Sequence, residues 1–153
     1  MAAKGPHGHY PTQMGPWRDV EPLAHWCHGA TGAVFLFCKA YQVLGDAAYL
    51  EAAGRSGEAV WSRGLLKKGP GACHGVSGSA YALLALYRAT HNPMWLHRAL
   101  QFAQFMQSEE FAREARAPDH PRSLFEGWAA ACCLWADLLE PDTAGFPLFV
   151  LDI

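Results

Sequence analysis

The stretch "GACHGVSGSAYALLALYRATHNP", residues 71–93, decides the fold. It opens with a glycine-rich loop that carries a cysteine and a histidine, and continues as a run that is apolar on nearly all sides. A run of this kind is typical of a buried helix. The Asn92-Pro93 pair ends that helix and begins another, because proline suits the first turn of a helix. The stretch therefore predicts a glycine-rich loop that leads into a helical hairpin with an apolar inner helix.

The same pattern occurs once before in the chain. When the sequence is shifted by 46 residues, "HWCHGATG" at 25–32 aligns with "GACHGVSG" at 71–78. The residues that follow predict a second hairpin, with an apolar helix that ends at Leu44 and a more polar one that ends near Arg63. Asp46 is the expected N-cap between them.

A third and fainter copy places Gly127 opposite Gly75. Phe125 and Glu126 stand where the other copies have Cys-His, and Ala130 replaces the second glycine. A period in the forties is typical of helical units that stack or form a ring. No alternating Val/Ile-rich segment predicts a strand. We therefore expect an all-α fold of about three consecutive hairpins.

Composition narrows the class of protein. The 153 residues are 51% hydrophobic and 17% charged, with a net charge of -2, so the chain is long enough for its own core and lacks the basic balance of a nucleic-acid-binding domain. The first residues have no apolar stretch of the signal-peptide kind. We expect a cytoplasmic protein, either free or peripheral at the plasma membrane.

Five cysteines, an odd number, favour reduced thiols over a disulfide framework. Cys38, Cys132 and Cys133 lie in apolar runs and are expected to be small buried hydrophobic residues. Cys27 and Cys73 differ, because each lies in the same polar, glycine-rich surroundings. These two cysteines are the candidates for chemistry.

The candidate chemistry is zinc binding. The loops of equivalent repeats meet at one end of a ring or stack, so Cys27 and Cys73 are expected to converge with the neighbouring histidines. Two thiolates and an imidazole suit zinc. Binding by both His28 and His74 gives a closed structural site, and binding by one gives an open site that holds a thiol as thiolate. The alternative without metal is that these polar residues only cap helices.

An open site for a thiol also needs polar groups that hold the rest of the bound molecule. The candidates on predicted loops are Lys67, Lys68, Arg116, Asp119 and Glu126. The alternative for each of them is an ordinary solvated charge.

Four motifs in order, "HWCHGATG", "GLLKKGPGACHGVSGSAY", "RAPDHPRSLFEG" and "DLLEPDTAGFP", resemble the eukaryotic LanC-like proteins, which are relatives of the bacterial lanthionine cyclases. The resemblance covers nearly the whole chain after about residue 20. It implies an α/α toroid of seven inner and seven outer helices, with one zinc ion bound by Cys27, Cys73 and His74. Since bacterial relatives commonly carry tyrosine at the position of His28, the resemblance implies that His28 lines the site or orients a neighbouring group.

The resemblance also implies a reaction and its partners. In bacterial cyclases zinc activates a cysteine thiol for addition to dehydroalanine or dehydrobutyrine, and the eukaryotic LanC-like proteins bind glutathione and add its thiol to such residues in proteins. Glu126 lies in the matching "SLFEG" loop, where it could help to position substrate. The positions that match the family's glutathione contacts are Lys68, Arg116, Ala117, Pro118 and Asp119.

The chain departs from the family in what precedes "HWCHG". Family members carry about four more hairpins there, including a histidine proposed as an acid or base, and His7, His9 and His25 match no such motif. We expect an irregular segment over 1–20 and the C-terminal part of a toroid over 21–153. Such a part would leave apolar residues of its inner helices uncovered.

Two functions follow from these expectations. One is a zinc-dependent enzyme that adds glutathione to dehydroamino acids. The other is a zinc- and glutathione-binding scaffold without catalysis, or an inactive truncated isoform. A fragment or a partial gene model is a further interpretation of the short chain.

Overall fold

The computed structural model of the chain describes residues 8–11 and 23–148. Within these ranges the fold is all-α, as predicted, and contains no strand. None of the helices in these ranges is both long enough and apolar enough to cross a membrane. The helices are α1 (Ala30–Leu44), α2 (Ala47–Arg63), α3 (Val76–Thr90), α4 (Pro93–Phe105), α5 (Glu109–Glu114) and α6 (Trp128–Asp137).

The predicted helix starts between the helices of each hairpin are confirmed. The Asp46 carboxylate accepts a hydrogen bond of 2.9 Å from the backbone N–H of Ala48 at the start of α2. The Asn92 side chain accepts one of 3.0 Å from the N–H of Met94, and proline occupies the first turn of α4. Each bond satisfies a donor that a helix N-terminus leaves open. Helix α1 packs against α2, and α3 packs against α4.

Helix α3 lies at the centre of the packing. It contacts α1, α2, α4 and α6, and every residue from Val76 through Leu86 is buried. This is why the sequence of α3 is apolar on all sides. Helix α6 packs on α3 and α4, so the described residues form two complete hairpins and the first helix of a third unit.

Helix α1 carries large apolar side chains that face solvent. Leu36 is 64% exposed, Val43 is 68% exposed and Leu44 is 63% exposed. These three residues lie on α1, the inner helix of the first hairpin. They are available for contact with another apolar surface.

The three cysteines of the apolar runs do not share one environment. Cys38 is buried, and burial raises the pKa of its thiol to about 12. Cys133 is half-buried, but Cys132 is exposed, so the prediction of a buried Cys132 was wrong. It lies on α6, which among the described helices contacts only α3 and α4 closely. All five cysteines are free thiols.

A short N-terminal segment packs on the first hairpin. The carbonyl of Gly8 accepts a hydrogen bond of 3.2 Å from the Ser56 hydroxyl, and the ring of Tyr10 lies 5.5 Å from that of Phe37. The rest of the segment predicted to be irregular, residues 1–7 and 12–20, lies outside the described residues, as do 21, 22 and 149–153 of the predicted toroid part.

Replacing Tyr81 by phenylalanine is expected to destabilise the packing of α3 on α6. The Tyr81 hydroxyl donates a hydrogen bond of 2.6 Å to the Asp137 carboxylate, and its loss is expected to cost about 1.5 kcal/mol in urea unfolding at pH 7. Burial and the bond to Asp137 raise the pKa of Tyr81 above its ordinary value. The folded chain therefore keeps this proton above about pH 10, where the unfolded chain loses it.

The difference in the free energy of unfolding between the native protein and Tyr81→Phe therefore has its full value below about pH 10. It decreases as the pH rises further. Tyr49→Phe is the control, because Tyr49 stacks on Phe37 through its ring. A stability difference that does not change with pH above 10 would contradict this account of Tyr81.

Candidate metal and thiol site

Three loops lie side by side at the N-termini of α1, α3 and α6. The backbone N–H of Trp26 donates to the carbonyl of Cys73 at 2.8 Å. The N–H of Cys73 in turn donates to the carbonyl of Phe125 at 2.9 Å, and that of Ala72 to Leu124 at 3.2 Å. The loops are thus joined in the order of the sequence repeat, which places equivalent positions next to one another.

Glycines allow the first two loops to fold back on their helices. A Cβ atom added at Gly32 would collide with the carbonyl oxygen of Trp26, and one added at Gly78 would collide with that of Ala72. These two collisions are equivalent under the shift of 46 residues. The second glycine of each motif is therefore required because a carbonyl group passes close to the first turn of the helix.

The paired loops bring Cys27, Cys73 and His74 together. One ligand atom from each, the two sulfurs and an imidazole nitrogen, lies within 4.8 Å of the others. Atoms that bind one zinc ion lie about 3 to 4 Å apart, so only a small closing movement is needed. Two thiols and an imidazole form a donor set that zinc prefers. The residues present therefore fit a zinc ion.

The surroundings of Cys73 favour its neutral thiol form when no metal is bound. Burial, followed by the neighbouring Cys27 thiol and, less strongly, by the Glu126 carboxylate, raises the pKa of Cys73 to about 11. Two thiolates side by side repel each other. A bound divalent cation would remove that repulsion, since metal ligation deprotonates a thiol outright.

Two further histidines adjoin the cluster. The Nδ1 atom of His28 lies 3.1 Å from the sulfur of Cys27, but His28 does not belong to the group formed with Cys73 and His74. His25 is buried, and its ring lies 5.9 Å from that of His74. Burial and the nearby charges of Lys68 and two histidines lower the pKa of His25 to about 4, so its imidazole is neutral at pH 7.

Sequence reasoning set His25 aside, yet its ring nitrogen lies within 4.8 Å of the ligand atoms of Cys27 and His28. The repeat could not indicate it, because Gly71 stands at the equivalent position of the second copy. The only signal was its place two residues before Cys27.

The two segments assigned to glutathione by resemblance are neighbours. The N–H of Arg116 donates to the carbonyl of Lys67 at 2.7 Å, and the Lys67 ammonium lies 2.9 Å from the Glu114 carboxylate. The ring of Pro118 packs beside Gly69. The segment 116–119 therefore lies along the loop that leads to Cys73.

The side chains of these segments differ in their relation to the cluster. Lys68 is exposed, and its charge reaches His25, whose pKa it lowers. Arg116, Ala117 and Asp119 are exposed as well, and no described contact joins them to the cysteines. Glu126 is closer, because its carboxylate acts on the pKa of Cys73.

Comparison with known proteins identifies the class. The family described as "Lanthionine synthetase C-like protein" matches residues 3–151 of the chain. The chain therefore belongs to the lanthionine synthetase C-like family, and the family resemblance is confirmed.

Two relatives show the extent of the match. "Glutathione S-transferase LANCL1" of Danio rerio is 47% identical over 147 residues, which are 95% of this chain and 35% of that protein. "LanC-like protein GCL1" of Arabidopsis thaliana is 40% identical over 144 residues, which are 92% of this chain and 33% of that protein. The chain thus spans about a third of the length of these relatives.

Proposed function

We propose that Cys27, Cys73 and His74 bind one zinc ion in an open site. The proximity of their three ligand atoms carries the proposal. Because His28 does not belong to that group, three protein ligands fit this geometry better than four. Three ligands leave a position for a further molecule. Zinc bound here would hold a thiol at that position as thiolate near neutral pH.

The thiol that we propose is that of glutathione. One relative is named as a glutathione S-transferase. Glutathione carries two carboxylates and one ammonium group. Lys68 and Arg116 supply two cations and Asp119 one carboxylate, on two neighbouring segments along the loop that leads to Cys73. Cations bind carboxylates, and a carboxylate accepts hydrogen bonds from an ammonium. Ala117 and Pro118 provide the backbone between the last two.

The reaction that we propose is addition of this thiol to a dehydroalanine or dehydrobutyrine residue of a peptide or protein. A bond forms between the sulfur and the β-carbon as the carbon–carbon double bond opens. The thiol loses its proton, the α-carbon gains one, and no group is oxidised or reduced.

The alternative is a zinc- and glutathione-binding scaffold without catalysis. The exposed apolar residues of α1 favour it, because Leu36, Val43 and Leu44 offer a surface to another protein. An inactive truncated isoform would bind in the same way. Incubation of the zinc-loaded chain with glutathione and a dehydroalanine peptide separates these functions, with the thioether product measured by mass spectrometry. A chain that binds glutathione but forms no product above the uncatalysed rate would support the scaffold.

Replacing Lys68 by alanine is expected to weaken glutathione binding about three- to tenfold, because an exposed charge-assisted contact is lost. Zinc content is expected to stay at the native value. Isothermal titration calorimetry with glutathione measures the affinity of the zinc-loaded native chain and that of zinc-loaded Lys68→Ala. Lys39→Ala is the matched control, since Lys39 lies within α1 and contacts Gln42. Equal glutathione affinity in native and Lys68→Ala would remove Lys68 from the proposed site.

A further inference from the structure

Glu126 occupies the place in the third loop that His74 occupies in the second. The loops touch here, because a Cβ atom added at Gly71 would collide with the backbone of Phe125 and Glu126. The N–H of Cys73 donates to the carbonyl of Phe125 at 2.9 Å. The third loop thus brings a carboxylate to the edge of a cluster that is otherwise made of thiols and imidazoles.

One oxygen of this carboxylate has no described partner. The Oε2 atom of Glu126 is buried from solvent and accepts no hydrogen bond from the residues that the structure describes. The backbone of Glu126 is held in place, since its N–H donates to the Ser123 hydroxyl at 3.1 Å. A buried carboxylate oxygen without a donor costs free energy. This oxygen is therefore open to a donor from a bound molecule.

Glu126 does not belong to the group of candidate zinc ligands. Glu126 is absent from the groups whose ligand atoms lie within 4.8 Å of one another, although its charge acts on the Cys73 thiol. It lies next to the zinc ligands and outside their set. A thiol that shared a bound zinc ion with Cys73 would have its nearest polar atoms close to Glu126. In cysteine-type thiols the nearest polar atom is the nitrogen β to the sulfur.

We infer that Glu126 accepts a hydrogen bond from the N–H group β to the sulfur of the bound thiol, and that the site therefore prefers β-amidothiols and β-aminothiols to other thiols. Glutathione carries such a group as the amide N–H of its cysteine, and so does any cysteine within a peptide. This inference rests on the proposed thiol site and assigns Glu126 as a positioning residue within it.

Two small thiols that differ only at this group test the inference. N-Acetylcysteamine has an amide N–H β to sulfur, and 2-mercaptoethyl acetate has an ester oxygen there. Each is titrated into the cobalt-loaded chain, and the visible absorption of cobalt reports binding of the thiol to the metal. Native protein is expected to bind the amide about tenfold more tightly. In Glu126→Gln the preference is expected to fall to about twofold or less.

Glu140→Gln is the matched control. It removes the same charge from an exposed residue beyond the far end of α6, roughly 15 Å along the helix axis from the Glu126 loop, and is expected to keep the tenfold preference. If Glu126 had only a structural role, Glu126→Gln would lower the affinity for both thiols equally and leave the ratio of the two affinities unchanged.

Several results would overturn the inference. Equal affinity of native protein for the two thiols would do so while leaving the thiol site intact, and this ratio decides the matter even where Glu126→Gln does not fold. A tenfold preference retained in folded Glu126→Gln would do so as well. If neither thiol changes the cobalt spectrum of the native chain, the proposed thiol site is contradicted and the inference with it.

Discussion

Replacing Cys73 by alanine is expected to abolish stoichiometric zinc binding. Cys73 joins the other two ligands from the middle loop, and its backbone bonds to both neighbouring loops. Loss of a group that only orients a metal ligand costs about 10- to 100-fold in affinity. Loss of a ligand itself is therefore expected to cost more than about 100-fold. Zinc content after dialysis against a weak chelator, measured by atomic emission, reports the result.

Cys132→Ala is the matched control for that experiment. Cys132 is an exposed thiol on α6, and its removal is expected to leave one zinc per chain. Far-ultraviolet circular dichroism of both variants shows whether the helices are retained. Full zinc occupancy in a folded Cys73→Ala chain would contradict the assignment of Cys73 as a zinc ligand.

Replacing Gly78 by alanine is expected to destabilise the loop that carries Cys73 and His74 strongly. The new Cβ atom would collide with the carbonyl oxygen of Ala72. That residue cannot move freely, because its N–H bonds to Leu124 and the next N–H bonds to Phe125. We expect a loss of about 3 kcal/mol in the free energy of unfolding, or roughly 10 °C in the midpoint of thermal unfolding. Zinc affinity is expected to fall with it.

Gly54→Ala provides the contrasting control. Gly54 lies within α2, and a Cβ atom added there meets nothing within 4 Å. Alanine in a helix is more favourable than glycine by about 0.5 to 1 kcal/mol, so this variant is expected to melt higher than native protein. If Gly78→Ala also melts higher than native protein, the inference that the Ala72 carbonyl leaves no room for a Cβ atom at position 78 is wrong.

Local signals in the sequence were sufficient to predict the two helical hairpins, but not the short helix α5. The caps at Asp46 and Asn92 and the apolar run of α3 depend on short-range chemistry, and they lie where that chemistry places them. The environment of Cys132 could not be predicted in this way. Its apolar neighbours indicate burial, but burial requires a partner helix, which no local pattern specifies.

The sequence likewise indicated some residues of the site and not others. The repeat singled out Cys27, Cys73 and His74, and the structure brings their ligand atoms together. It could not single out His25, which has no counterpart in the second copy, or the unpartnered carboxylate oxygen of Glu126. Both depend on how three loops pack across one another. The contacts of such residues depend on the packing of the loops, which the repeat alone does not specify.

Zinc K-edge X-ray absorption of the purified chain, with and without glutathione, tests the central claim most directly. We predict one zinc with two sulfur ligands at about 2.3 Å and one or more nitrogen ligands at about 2.0 to 2.1 Å. Addition of glutathione is predicted to raise the number of sulfur ligands from two to three. A chain that retains no zinc, or a zinc that keeps two sulfur ligands at saturating glutathione, would contradict it.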